Sequence, residues 1–351
     1  MRHSTRSCRL AYLALAIVIA STLGAALADA LWTATTAEAG HEDGRVLIFA
    51  QPFVRADAIW MAQAKGFFKE ERLAVSVKWV SAGTDALKVL QEGRDGKPGF
   101  GDLVVVSEVS AVNFWQGVDR DFVVIAALAR DAEGYTGIAK AEIKTPQALR
   151  AKRIATRLGS TSAWLLGEYL RAHGMSERDV ALKNEGPEAI LTWDPDGSDV
   201  AAFFVREPYA ALALAKHGDR VHRLTTAKGY AHGYVLLGTW KRYLQEHPGV
   251  AERLLRAIDR GRQYAAGHKD EVIEFARGRF SVVDIAPVEA DYSSNERVVG
   301  LDRVTLDDFQ RLGRWMQEAG LLKATFDPKA FFDPRPLRAS LPERVTVDLS
   351  W

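Results

Sequence analysis

Cysteine is almost missing from this chain: among 351 residues there is one, Cys8. It precedes an apolar run from Leu10 to Leu27, with Arg2, Arg6 and Arg9 ahead of the run. Small-x-small tripeptides follow at Ala26-Leu27-Ala28, Ala28-Asp29-Ala30 and Ala37-Glu38-Ala39. That is the layout of a secretory signal peptide over residues 1–39. Because Cys8 lies before the run rather than at its end, it is not the lipidated cysteine of a lipoprotein. Export then leaves no thiol, no disulfide and no thiolate metal site. An uncleaved N-terminal anchor is the alternative use of the same run. A second long apolar run is missing, so the remainder reads as a soluble protein working outside the cytoplasm. Excess charge is missing too. The formal charge of +1 falls to zero when the leader takes away three arginines against Asp29 and Glu38. This excludes the basic surplus of a nucleic-acid binder.

Enzyme signatures are equally scarce. No phosphate-binding G-x-x-x-x-G-K-[ST] occurs; Gly93-Arg-Asp-Gly-Lys-Pro-Gly-Phe-Gly101 is glycine-rich but has the wrong order and contains Pro98, so it reads as a surface loop. There is no G-x-S-x-G elbow. The 8 histidines are scattered, and His217 and His222 straddle a turn rather than share a helix face. Asp194-Pro-Asp196-Gly-Ser-Asp199 is acidic like a calcium loop, but its glycine is misplaced and the twelfth-position glutamate is absent. No metal and no cofactor is expected.

What is present is alternation. Val46–Ala50, Val75–Val80, Leu103–Ser107 and Phe122–Leu128 read as buried strands. Between them, Ala56–Phe68, Asp85–Gln91 (with Thr84 as N-cap) and Glu108–Trp115 read as helices. Arg130-Asp-Ala-Glu-Gly134 interrupts the rhythm, which restarts with strands at Arg153–Thr156, Val180–Lys183, Ala201–Val205 and Val221–Leu224. Helices at Pro146–Leu149, Pro187–Leu191 and Pro208–Lys216 separate these strands. Short apolar runs separated by helices predict parallel α/β sheets. Tyr230–Leu237 reads as a strand running back, and the chain from Thr239 as mostly helical. Thr305-Leu-Asp-Asp308 has capping-box spacing for the last long helix, and Val345–Leu349 suits an edge strand. The expected architecture is a two-lobed α/β protein with chain crossings near Arg130–Gly137 and Lys228–Tyr234.

Two junctions stand out as candidate ligand contacts. Gly159-Ser160-Thr161-Ser162 passes from a strand into a helix whose Leu165, Leu166, Tyr169 and Leu170 share one face. One hydroxyl suffices to cap a helix; three of them beside free N–H groups make a ready site for an anion. Phe203-Phe-Val-Arg206-Glu207-Pro208-Tyr209 places opposite charges at a strand end, where open α/β sheets bind ligands.

The ordered set "AIWMAQAKGFFKEERLAVSVKWVSAGTDAL", "TPQALRAKRIATRLGSTSAWLLGEYLRAHGM", "VREPYAALA" and "LLGTWKRYLQEHPGVAERLLRAI" resembles the nitrate/sulfonate/taurine class of periplasmic substrate-binding proteins of ABC transporters. The resemblance covers most of residues 45–335. It implies the two-lobed periplasmic-binding-protein fold with a ligand cleft between the lobes, hinge closure, and delivery of a small-molecule solute to an ABC transporter permease. It also implies that the helical third returns to the first lobe: residues 40–133 and 230–335 in lobe one, 134–229 in lobe two, 336–351 as a tail. Carried over by position, the cleft is lined by Gln51, Phe53, Ile59 and Trp60, by Gly83 and Thr84, and by Ser107 and Glu108 from the first lobe. Gly159, Ser160, Thr161, Ser162 and Glu207 line it from the second.

Arg206 stands where many members have an aromatic residue or glycine, and Glu108 adds a second carboxylate. Two carboxylates in the cleft suit a solute with an amine at one end and an anionic group at the other. The expected protein is a non-enzymatic, monomeric, periplasmic solute-binding protein for a sulfonate- or taurine-like solute, with no nucleic-acid partner. A membrane-anchored sensory ectodomain and a dehydratase-type enzyme are the alternative uses of the same fold.

Overall fold

The computed structural model describes residues 44–51, 54–80, 83–94, 101–280 and 286–347. The leader, Phe53 and most of the glycine-rich loop before Gly101 lie outside the described residues. Among the described residues eleven strands form in chain order: β1 (Arg45–Ala50), β2 (Ala74–Trp79), β3 (Leu103–Val106), β4 (Phe122–Asp131), β5 (Tyr135–Lys140), β6 (Arg153–Thr156), β7 (Ala181–Asn184), β8 (Val200–Arg206), β9 (Val221–Thr226), β10 (Gly233–Trp240) and β11 (Glu296–Gly300). They make two sheets, one ordered β11-β4-β10-β3-β1-β2 and the other β7-β6-β8-β5-β9. The chain passes from the first to the second between Asp131 and Tyr135, and returns between Thr226 and Gly233.

The sheets are mixed rather than parallel, a correction to the sequence expectation. β2, β1 and β3 run parallel, as do β7, β6 and β8, but β10 pairs antiparallel with both β3 and β4, and β5 antiparallel with β8 and β9. The cause lies in the crossings. A strand that arrives from the other lobe enters the sheet without a βαβ crossover, so nothing forces it parallel. The helix starts also differ from expectation at two places. Thr84 is the second residue of the helix Gly83–Arg94 rather than its cap. The last long helix, Arg303–Glu318, is capped by the Asp302 side chain, which accepts from the Thr305 N–H at 2.8 Å. The edge strand expected at Val345–Leu349 is reduced to a single bridge between Val345 and Leu301, with residues 348 onward outside the described set.

The helical third packs on the first sheet. The helix Pro248–Gly267 lies so close to Asp57–Ala64 that a Cβ on Gly261 would stand 2.0 Å from the Ala58 carbonyl oxygen. Only glycine permits that approach. A large core of β1, β3, β4 and β10 with their covering helices takes in Phe309, Phe331 and Phe332. It also takes in Ala163 and Trp164, which belong to the helix Thr161–Ala172 over the second sheet. Trp164 is fully buried there. Further contacts follow along that helix. Gly167 faces the Trp315 indole, whose Nε1 donates to Glu177 at 2.9 Å, and Arg171 pairs with Glu318.

Candidate functional site

Parallel strands end on one side of their sheet, and their carboxyl ends present the following residues to the same space. β1 leads to Gln51 and β3 to Ser107; β6 leads to Arg157, and β8 ends at Val205 and Arg206. Register brings the last pair together, since β6 Thr156 lies beside β8 Phe204. Tyr135 opens β5 directly across from Arg206, and Tyr234 stands one residue into β10. These residues meet at one cavity of about 280 Å³ between the two sheets.

Three helices begin at its wall. Gly83 and Thr84 open one, Ser107 and Ser110 flank the start of Glu108–Gly117, and Ser160, Thr161 and Ser162 start Thr161–Ala172. The first-turn N–H groups of a helix lack intrahelical partners and carry the positive end of its dipole. Three guanidiniums, from Arg55, Arg157 and Arg206, complete the polar lining, and among the described residues no carboxylate lines the cavity. The apolar part of the wall includes Pro187, Phe204 and Val235.

The three hydroxyls of the Ser160–Ser162 turn have three different uses. Gly159, at φ 70°, supplies the left-handed backbone that turns the chain into the helix. Ser160 is the N-cap: its Oγ donates to the Arg157 carbonyl at 2.6 Å and accepts from the Ala163 N–H at 3.4 Å. Thr161 reaches out of its own lobe and donates its hydroxyl to Glu108 Oε1. Ser162 is 6% exposed, lines the cavity, and its hydroxyl meets no partner among the described residues.

The predicted carboxylates sit elsewhere. Glu108 is fully buried behind the wall, and both of its oxygens are engaged: Oε1 by Thr161, Oε2 by the Tyr234 N–H at 2.9 Å. Burial pushes its carboxyl above the usual range, against the opposing pull of those two hydrogen bonds. Glu207 does not line the cavity. Its Oε2 accepts from the Ala211 N–H at 2.9 Å, and Oε1 lies 3.4 Å from Arg223, so its charge is used at the start of the following helix. Trp60 is fully buried in a separate cluster, its ring stacked on Phe275 at 5.5 Å and edge-on to Trp79 at 6.2 Å. Ile59 is likewise a core residue. Gly159 shapes the turn without lining the cavity.

Sequence reasoning passed over Arg55, Ser110, Tyr135, Arg157 and Tyr234. Ser110 had a signal, being three residues after Ser107 on a helix. Arg157 had one too, as a charge directly after a strand, like Arg206. Tyr135 and Tyr234 depend on the pairing of the two crossing strands and had none. Arg55 is buried between Asp131, at 3.5 Å, and the ring of Tyr135, at 5.5 Å. Burial alone would lower its pKa, but the surrounding Tyr135, Asp291 and Asp131 more than offset this, so it stays charged. Tyr234 also donates its hydroxyl to Asp308 at 2.7 Å, where His232 and Arg311 converge. Burial acts to raise the Asp308 carboxyl; the bonds from His232, Tyr234 and Arg311 outweigh it and hold the group below the usual carboxylate value.

Among the described residues there is no group of three histidine, cysteine or acidic side chains suited to a metal ion, and no helix long and apolar enough to cross a membrane. No curated protein matches the sequence. Solved structures do share the fold. The periplasmic aliphatic sulphonate binding protein SsuA from Escherichia coli superposes with a TM-score of 0.69 at 15% identity, over 82% of this chain and 97% of that one. The alkanesulfonate-binding protein SsuA from Xanthomonas axonopodis pv. citri, bound to MOPS, gives 0.63 at 17%, over 84% and 99%. The periplasmic nitrate-binding protein NrtA from Synechocystis PCC 6803 gives 0.64 at 16%, over 86% and 89%. The two-lobed fold implied by the sequence resemblance is therefore the one found. The model of the family described as NMT1/THI5 like matches residues 56–272, more than half of the sequence. The chain belongs to the NMT1/THI5-like family.

Proposed function

We propose that this protein is an extracytoplasmic solute-binding protein of an ABC-type importer, exported by residues 1–39. It captures a small anionic organic solute of the sulfonate kind between its lobes. One observation carries the reading: the cavity wall combines three arginines, three helix starts and a row of hydroxyls, with no carboxylate among its described residues. Such a wall neutralises an acidic head group by charge and by N–H and O–H donation at once. The apolar Pro187, Phe204 and Val235 accommodate a short carbon skeleton. The ligands after which the fold relatives are named, sulfonates and nitrate, are anions and support the same class.

On this reading lobe one comprises residues 40–133 and 230–335, lobe two residues 134–229, and the protein acts as a monomer without cofactor or catalysis. The solute bridges the lobes, and the closed form is what a membrane permease recognises. The amine-plus-anion solute expected from two cleft carboxylates is set aside, because Glu108 and Glu207 are both spent on protein groups.

A thermal-shift screen of the exported protein against alkanesulfonates, arenesulfonates, nitrate and bicarbonate tests the reading. A ligand at a hundred times its Kd stabilises by about 2.7 kcal/mol, a rise in midpoint of about 5 °C for a chain of this size. A rise with organic sulfonates supports the assignment; no rise with any anion of the panel refutes it.

A further inference from the structure

The charges around the cavity are unevenly answered. Arg55 has its counter-charge inside the protein, at Asp131. Arg157 and Arg206, both on the second lobe, make no ion pair with a described residue, although the buried Asp291 acts on Arg206 as well as on Arg55 through space. The Arg206 guanidinium donates to the Glu207 carbonyl at 3.2 Å and stands 5.3 Å from the Tyr209 ring centroid. Arg157 is exposed at the rim. Two further groups face the cavity without a hydrogen-bond partner among the described residues: the hydroxyl of Ser162, and the side-chain amide of Gln51, which is 9% exposed. One lies on each lobe. Neither group is sealed from water, so both are open to a solute in the cavity.

We propose that the site selects acids that carry no ammonium group, and that Arg157 together with Arg206 enforces the choice. The proposal rests on the solute-binding reading above and narrows its substrate class. An ammonium entering the cavity would lose its hydration and find guanidiniums, hydroxyl donors and helix N-termini. No lining carboxylate would receive it, and like charges brought together in a closed site are strongly disfavoured. Selectivity of this kind comes from the repulsive element as much as from the attractive one.

Two solutes that differ by a single amino group isolate the effect: ethanesulfonate and 2-aminoethanesulfonate, titrated calorimetrically into the exported protein. The expected result is a Kd at least about tenfold lower for ethanesulfonate, since tenfold needs only a modest electrostatic difference. Arg157→Gln weakens ethanesulfonate and narrows the ratio; Arg157→Glu moves the preference toward the amino compound. Because Arg157 is exposed, both variants are expected to fold, and an unchanged melting temperature without ligand checks that. Equal or tighter binding of the amino compound by the wild type overturns the proposal while leaving the solute-binding reading in place. So does an Arg157→Gln variant that weakens both solutes by one common factor. Binding of neither solute, nor of benzenesulfonate, propanesulfonate, nitrate or bicarbonate, overturns the solute-binding reading and the selectivity with it.

Discussion

Replacing Glu108 with glutamine is expected to stabilise the protein, increasingly so as pH rises. Glu108 has no exposure to water, and its oxygens accept from Thr161 of the second lobe and from the Tyr234 N–H. Its carboxyl is raised above 4.5 by burial. A carboxyl whose folded pKa exceeds its unfolded one binds more protons in the native state across that interval. Stability therefore falls as pH climbs from about 4.5 to the raised value, and is flat beyond it. The slope inside that window is at most about 1.4 kcal/mol per pH unit, or about 3 °C of Tm. Glutamine has the same shape: its oxygen accepts from Tyr234 N–H and its NH₂ donates to the Thr161 oxygen, with nothing to ionise. Melting curves of the ligand-free protein at half-unit steps from pH 4.5 to 8 give the answer. Asp57, Glu168 and Asp291 are also raised by burial and slope the same way, so the quantity to read is the difference between variant and wild type. A difference in Tm that stays constant across the range, or that moves against the variant, refutes the reasoning.

Two more outcomes follow from packing and from the Asp308 network. Gly261→Ala places a methyl 2.0 Å from the Ala58 carbonyl oxygen and 2.8 Å from the Ala62 nitrogen, so the two helices must part. A loss of about 1–3 kcal/mol, and a Tm lower by more than about 3 °C, is expected, and an unchanged melting curve would show that the helices yield freely. Asp308→Asn removes a carboxylate whose folded pKa lies below 3.8, so its contribution is present above that value and lost as pH falls through the depressed one. The variant should be less stable at pH 6 by about 2 kcal/mol, with a narrower gap in melts at pH 3; a gap equally wide at both pH values contradicts the charge argument.

Much of the fold was legible because burial writes itself into short apolar runs. "VLIFA" at β1, "LVVV" at β3 and "FVVIAALARD" at β4 have no other reading in a chain of alternating helices. Two strands escaped. "YTGIAK" of β5 is broken by a threonine and a glycine, and "ERVVG" of β11 is too short to rise above its helical surroundings. Strand direction escaped as well, since a buried strand looks the same whichever way it runs. In the site, Ser160 to Ser162, Gly83, Thr84, Ser107, Gln51 and Arg206 all face the cavity. Position at a strand end pointed to Ser160–Ser162 and Arg206, and the family resemblance to the other four. Trp60 and Glu207 show the limit of that rule. A tryptophan just past a strand end fills a core as readily as a cleft, and only the contact with Phe275 decides. A glutamate before a helix is taken by that helix's own N–H groups unless something else competes, and Ala211 took this one.

The helix Thr161–Ala172 has one further consequence, for the timing of exchange. At its start it is tied to Glu108, its Trp164 lies in the core of the other lobe, its middle abuts Trp315, and its end pairs with Glu318. Each of these ties joins protein to protein and none involves the occupant of the cavity. On the solute-binding reading, parting the lobes breaks the same set whatever molecule lies between them, so the protein itself contributes a fixed part of the barrier to release.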